Sequence, residues 1–314
     1  MQTNDSPTVL ITGASTGLVF ACARNIAFTH PNCTIIIAGR NRQRITDAAK
    51  KINMETGATK TIPMLLDLAS LSSVRLFVEE FLKANLPPLA SLVCNAGIRP
   101  TQHIETTQDG YEAVFGVNYL GHFLLTNLLL PHMAQGARIL LLSSRTHDYR
   151  DKSPFPKSEY KKPSVYAIPH TPEGEKEKSF VVRAYSNSKL CVTMFGFELS
   201  RRMQAAGRNI LVNVFDPGAM ATDIVRDYGQ FISHVMRILW PAIRILPNMS
   251  SIKESARVLA ELAVSDKYNG ITGKYFTMIG SYCRGAKEAD PSPLVFDLEK
   301  TKELWDGSEE LINI

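Results

Sequence analysis

Thr8-Val9-Leu10-Ile11-Thr12-Gly13-Ala14-Ser15-Thr16-Gly17 is the stretch on which the fold assignment turns. Thr8–Thr12 is short, apolar and β-rich, Gly13 and Gly17 follow it, and Leu18–Thr29 then carries apolar residues at helical spacing. A strand that turns on glycine into a helix N-terminus lets backbone N–H groups approach an anion such as a pyrophosphate. Ser15, Thr16 and Leu18 complete such a turn. Taken alone, two glycines are equally an ordinary strand–helix connection, so the rest of the chain has to separate the two readings.

Downstream, the apolar runs Cys33–Ala38, Thr61–Leu66, Ala90–Cys94, Arg138–Leu142, Ile210–Phe215 and Gly273–Met278 repeat the pattern. Most are continuous rather than alternating, as parallel strands covered on both faces should be. Helical stretches lie between them: Arg42–Thr56, Leu71–Ala84, Gly110–Met133, Ala184–Ala206 and Ile252–Ser265. The alternation predicts an α/β fold, a Rossmann-like doubly wound sheet of about seven parallel strands with helices on both faces. We expect one such domain over residues 1–314. Arg145–Val182 breaks the rhythm with five prolines and the run EGEKEK, and reads as an insertion with at most short helices. Residues 219–250 are strongly apolar, include Trp240, and read as a substrate loop or lid. The tail at about 297–312 reads as an amphipathic helix.

Hydrophobic residues are 45% of the chain and charged residues 21%, with a net charge of +5 and no long block of one sign. This composition excludes disordered, collagen-like and coiled-coil chains, and lacks the dense basic stripe of a nucleic-acid binder. Five cysteines are scattered without a paired or metal spacing, which suits free thiols in a reducing compartment. The polar N-terminus and the lack of an 18-residue apolar run predict a cytoplasmic protein without a membrane span. Residues 231–247 mix basic and apolar side chains, so peripheral membrane contact is the alternative to a lid or core packing.

The end of the second run adds to the cofactor reading. Ala38-Gly39-Arg40-Asn41 has no acid to take a ribose 2′-hydroxyl, and Arg42 follows closely. A guanidinium there suits a 2′-phosphate through charge-assisted bonds, so NADP(H) is expected. Asp67 and Leu68 end the third run, and Asn95-Ala96-Gly97 follow the fourth, where ligands of open sheets bind. His147 and His170, in the insertion, read as loop residues, and no metal site is expected.

Tyr185 and Lys189 are spaced i,i+4 and share one helix face. Ser143-Ser144 ends the fifth run, Asn118 lies in the helix before it, and Pro217-Gly218, Met220 and Thr222 follow the sixth. With TGASTG at 12–17, DL at 67–68, NAG at 95–97, SS at 143–144, YSNSK at 185–189 and PGAMAT at 217–222, the sequence resembles the short-chain dehydrogenase/reductase superfamily. DLASLSSVRLFVEEF (67–81), NYLGHFLLT (118–126), AYSNSKLC (184–191) and the Trp305-containing tail are most similar to its retinol dehydrogenase and protochlorophyllide reductase branch.

The resemblance implies roles. Tyr185 is the general acid in reduction, and Lys189 favours its phenolate and holds the nicotinamide ribose. Ser144, matching the second serine of the family's pair, bonds the substrate oxygen. Asn118 holds a water that relays protons from Lys189, and Thr222 bonds the carboxamide. Gly13, Ser15, Thr16, Gly17, Leu18, Arg40, Asn41, Asp67, Leu68, Asn95, Ala96, Gly97, Pro217, Gly218 and Met220 contact the cofactor beside Tyr185 and Lys189. Val19 stands where the family has a third glycine, and should push helix from strand or crowd the cofactor. The gap between Ser144 and Tyr185 is long. Carbonyl reductases carry an insertion there that accompanies the monomeric state, so a monomer is expected, with a dimer as the alternative. Ala219 stands where protochlorophyllide reductases have cysteine, which counts against the light-driven reaction. The expected activity is NADPH-dependent reduction of a ketone or aldehyde, or the reverse oxidation, on a medium-to-large apolar molecule. Reduction of a carbon–carbon double bond and a non-catalytic NADP-binding scaffold or sensor are the alternatives.

Overall fold

β1 (Thr8–Thr12) is buried along its whole length, because strands pair with both its edges and helices cover both its faces. A computed structural model describes residues 7–58, 60–99, 103–152, 156–218, 250–278 and 285–313. The strands β2 (Thr34–Gly39), β3 (Thr61–Leu65), β4 (Leu89–Cys94), β5 (Met133–Leu142), β6 (Ile210–Asp216), β7 (Lys274–Thr277) and β8 (Lys287–Glu288) join β1 in one sheet, in the order β3-β2-β1-β4-β5-β6-β7-β8. The first seven strands are parallel; β8 pairs antiparallel with β7. The sheet therefore has eight strands rather than the expected seven. The two residues of β8 carry no apolar signal, so nothing in the pattern announces them. Strand order reverses between β1 and β4, which opens a crevice at their C-terminal ends.

Although the strands read as continuous apolar runs, their side chains divide strictly. Leu10, Ile36, Leu92, Ile139 and Val212 face one core layer, and Val9, Ile11, Ile35, Val93, Leu140 and Phe215 face the other. Period-two alternation is hidden because both layers are apolar. Helices α1 (Gly17–Thr29) and α7 (Ile252–Val264) cover the second layer, and α4 (Ala113–His132), α6 (Glu177–Ala205) and α8 (Leu298–Ile312) the first. α2 (Arg42–Thr56) starts at Asn41, whose side chain accepts the Arg44 N–H, and stops at Gly57 in the left-handed region, φ 70°. α3 (Leu71–Lys83) is capped by Ser70.

Three expectations shift. α4 begins at Ala113 rather than Gly110, because the buried Glu112 carboxylate accepts the N–H groups of Val114 and Phe115. It ends before Met133, which opens β5 opposite Leu89, so β5 starts five residues earlier than its apolar run. Its middle, Gly116–Leu120, is a π-turn, which no local signal marks. α6 begins at Glu177, inside the insertion, so Tyr185 sits in the third turn of a long helix rather than at a helix start. The rest of the insertion holds a 3-10 turn, Arg145–His147, and the short α5 (Pro163–Tyr166). Among the described residues α4 alone is long and apolar enough to cross a membrane, yet 89% of its apolar window is buried inside the protein. Its hydropathy reflects a central core position.

Candidate active site

A cleft of about 840 Å³ lies over the C-terminal ends of the central strands. Its floor is where two turns press together. Gly13 has φ +76°, and a Cβ there would lie 2.9 Å from the Cα of Ala96, so only glycine fits. Thr12 Oγ1 joins the same turns, accepting the N–H groups of Asn95 at 2.9 Å and Ala96 at 3.0 Å. Gly17, φ +66°, has no heavy atom within 4 Å of a notional Cβ. Thr16, the N-cap of α1, makes no side-chain cap bond. The first N–H groups of α1 thus meet the open cleft, as a bound pyrophosphate requires.

Every expected cofactor residue from Gly13 to Gly97 lines this cleft, as do Tyr185, Lys189 and Pro217. Asn41 lines it while capping α2, and Asp67 Oδ1 accepts the Ala69 N–H at 3.0 Å. Arg44 also lines it and escaped the sequence reading; Arg42 does not reach it. The signal was available in Gly39-Arg40-Asn41-Arg42-Gln43-Arg44, where a helix beginning at Arg42 puts its third residue beside the strand end. Arg99, after the Asn95–Gly97 turn, is a further cation on the wall. Gly218 follows Pro217, has φ +76°, and its N–H donates to Asp216 Oδ1 at 2.9 Å; it is not among the lining residues. Met220 and Thr222, and the expected lid at 219–249, lie outside the described residues.

Val19, at the expected third-glycine position, is taken up in the packing between α1 and the sheet. It is 3% exposed, packs in one apolar cluster with Val9, Ile11 and Cys22, and lines part of the cleft wall.

The chemical end is built by α4 and α6. Gly196 seats α6 on the sheet, since a Cβ there would lie 2.6 Å from Val214 Cγ2 and 2.9 Å from Leu141 Cδ1. That contact puts Tyr185 and Lys189 over the end of β5. The buried Lys189 Nζ donates to the Leu142 carbonyl at 2.9 Å and lies 5.7 Å from the Tyr185 ring centroid. Asn118 sits in the π-turn. Its Oδ1 accepts the Ile98 N–H at 2.7 Å, and its Nδ2 donates to the Ile98 carbonyl and Ser188 Oγ, both at 3.1 Å. The side chain thus holds the loop after Gly97 to α6. Ser143 is buried and lines the cleft, but its Oγ is engaged by Thr193 Oγ1 at 2.7 Å and the Lys189 carbonyl at 3.3 Å. Ser144 follows, half-buried and outside the lining set, and its Oγ accepts a long 3.4 Å bond from Thr146 N–H.

His122, one turn after Asn118, is a functional neighbour that periodicity alone cannot distinguish from a core residue. Its Nδ1 lies 3.1 Å from the Asn118 carbonyl and its Nε2 2.9 Å from Thr12 Oγ1. Burial pushes its pKa down to about 4, the Lys189 charge adds to that, and the Asn118 carbonyl opposes it. The imidazole is neutral and ties the glycine turn to the π-turn.

The chain is 35% identical to "Retinol dehydrogenase 13" of Mus musculus, covering 98% of this chain and 84% of that protein. It belongs to the short-chain dehydrogenases. The family's profile, short chain dehydrogenase, matches residues 7–152. Within the family the chain falls in the retinol dehydrogenase-like branch. It is also 31% identical to "Polyprenol dehydrogenase" of Mus musculus, over 94% of this chain and 81% of that one. A crystal structure of an uncharacterised protein from Mycobacterium Paratuberculosis matches this short-chain dehydrogenase with a TM-score of 0.71 at 25% identity, over 99% and 96% of the two chains.

Proposed function

We propose that this short-chain dehydrogenase uses NADP(H) to interconvert a carbonyl and an alcohol on an extended apolar molecule. The observation that carries the reading is the meeting of Asn118, Tyr185 and Lys189 in the cleft whose floor is the Gly13–Gly17 turn. When bound there, the nicotinamide supplies or accepts the hydride. Gly13, Gly17 and the N-terminus of α1 would hold the pyrophosphate, Asn95–Gly97 and Pro217 would flank the cofactor, and Lys189 would bind the ribose. Arg40 and Arg44 would share a 2′-phosphate, which two guanidinium groups neutralise far better than they bind a hydroxyl.

In reduction, Tyr185 gives its phenolic proton to the oxygen where negative charge develops. A phenol with an ordinary pKa of about 10 donates readily but re-ionises slowly at neutral pH. The Lys189 ammonium favours the phenolate and offsets that. Ser144 donates a hydrogen bond to the same oxygen. Asn118 keeps its side chain on Ile98 and Ser188, so a relay water would bind its carbonyl, where His122 occupies one of two lone pairs.

The names of the relatives, retinol and polyprenol dehydrogenases, favour a long apolar alcohol or aldehyde as substrate. Purified protein should oxidise NADPH when given long-chain and isoprenoid aldehydes. No cofactor oxidation across such a panel, with the reverse reaction also silent, would refute the activity. We also infer a monomer in the cytoplasm: α8 and α5 cover α4 and α6, and Cys22, Cys33, Cys94 and Cys191 are buried thiols. Sedimentation and cell fractionation test both.

A further inference from the structure

The segment after Ser144 carries an imidazole that the proposed chemistry does not use. His147 is only 2% exposed. Its Nδ1 lies 2.7 Å from the Ser144 carbonyl oxygen, which can only accept, so Nδ1 bears the proton. Its Nε2 receives the Ser292 N–H at 3.1 Å, which can only donate, so Nε2 is bare. Two backbone groups therefore dictate one tautomer of a neutral ring. A charged ring would set N–H against N–H. Burial pushes the pKa down, in keeping with that.

The residue and its neighbours are held from other directions too. The imidazole lies 4.9 Å from the Tyr275 ring, tilted by 38°, and the Tyr275 hydroxyl donates to Asp216 Oδ2 at 3.2 Å. The His147 carbonyl accepts the Ser158 hydroxyl at 2.7 Å. Arg150, three residues on, donates to the Pro291 carbonyl at 2.9 Å and is ion-paired with Asp148. The segment after β5, the strand β7 and the stretch before α8 meet at this one side chain.

Ser144 needs such support. Among the described residues its hydroxyl has only the long bond from Thr146 N–H, whereas Ser143 is engaged by α6. The direction of the Ser144 side chain is thus set by its backbone. We propose that His147 is a positioning residue for Ser144, a neutral strut between the Ser292 N–H and the Ser144 carbonyl that aims the Ser144 hydroxyl at the substrate oxygen. This rests on the role given to Ser144 above. It also assigns the insertion and the segment before α8 a part in the reaction, although neither contributes a catalytic group.

The test compares His147→Gln, whose longer side chain reaches toward Ser292 but loses the donor to Ser144, with His147→Asn, which keeps that donor and leaves Ser292 N–H unpaired. Each is made in the wild type and in Ser144→Ala. In the wild type, His147→Gln should lower kcat roughly 10- to 100-fold, with NADPH affinity by fluorescence changed less than about twofold. His147→Asn should keep kcat within about fivefold while amide exchange over residues 285–293 speeds up. In Ser144→Ala, His147→Gln should cost no further kcat, because the group it aims is gone. The same loss in both backgrounds would mark a merely structural role and overturn the proposal, as would undiminished kcat in His147→Gln. If His147→Gln does not fold, His147→Asn decides: a kcat loss as large as that of Ser144→Ala overturns it, and retained kcat with faster exchange upholds it. A wild type that binds NADPH but turns over no carbonyl overturns the functional reading itself, and this proposal with it.

Discussion

Replacing His122 by glutamine should remove part of the protein's sensitivity to acid. His122 is 3% exposed, and its hydrogen bonds define its state. Thr12 Oγ1 already accepts two N–H groups, so a third donor would find no lone pair there; Nε2, 2.9 Å away, is therefore bare and shares the Thr12 hydroxyl proton with the Val93 carbonyl at 3.3 Å. Nδ1–H then donates to the Asn118 carbonyl. In the unfolded chain this imidazole takes its proton near pH 6.5, and in the folded protein only at about 4. Between those values the unfolded state binds more protons, so stability falls as pH falls. The contribution is complete above the unfolded pKa and lost on the way down to the folded one. At about 1.36 kcal/mol per pH unit, the loss is roughly 2 kcal/mol near pH 5 and roughly 3 kcal/mol near pH 4. That is a large share of the 5–15 kcal/mol or so that holds a typical domain.

Urea unfolding of the wild type and His122→Gln, near pH 7 and near pH 5, reads this directly. The variant should be the less stable protein at neutral pH, because one of two buried bonds is lost. It should then lose about 2 kcal/mol less than the wild type on acidification. Burial raises the pKa values of Asp216 and Glu112 and lowers that of His147. These groups are common to both proteins and cancel in the difference. Equal acid losses in the two proteins would refute a neutral, doubly bonded His122.

Tyr185→Phe should lower kcat about 10²- to 10⁴-fold as proton transfer is lost, with NADPH affinity within a few-fold in a fluorescence titration. Arg40→Ala and Arg44→Ala should each weaken NADPH binding about tenfold, the equivalent of one charge-assisted bond, and NADH binding far less; calorimetry showing equal losses for both cofactors would remove the 2′-phosphate assignment. Gly196→Ala should destabilise by about 1–3 kcal/mol through overpacking, set against a gain of up to about 1 kcal/mol in helix propensity. An unchanged urea midpoint would mean that α6 can lift from β5 and β6 without penalty.

Sequence reading recovered what local chemistry encodes. The seven parallel strands follow from apolar runs bounded by polar turns, and α2 is read to the residue because Asn41 caps it and Gly57 ends it. Gly13, Gly17, Arg40 and Asn95–Gly97 were legible because a strand end has few ways to present a backbone to a ligand. Long-range partners were not. β8 exists only because β7 lies beside it, and the partners of Asn118 in the π-turn, Ile98 and Ser188, are distant in sequence. The start of α6 at Glu177 was hidden by a charged run that looks like loop, although Glu177 also serves Ile104, accepting its N–H at 2.9 Å. His147 reads as a loop residue, and nothing in the sequence singles out His122, because their roles are bonds to groups far away in sequence. Arg44 is legible in principle, since the first turn of a helix starting at Arg42 passes the end of β2.

The larger core layer is closed by the C-terminal helix. Trp305 packs edge-on to Phe123 at 5.0 Å and lies 5.6 Å from Phe195, with the Arg202 guanidinium 4.1 Å from its ring. Arg75 and Tyr111 donate to the carbonyls of Ile312 and Leu311, at 2.6 Å each. Removing α8 would therefore open the aromatic face of α4 and α6, with Phe123 and Phe195 at its centre, to water.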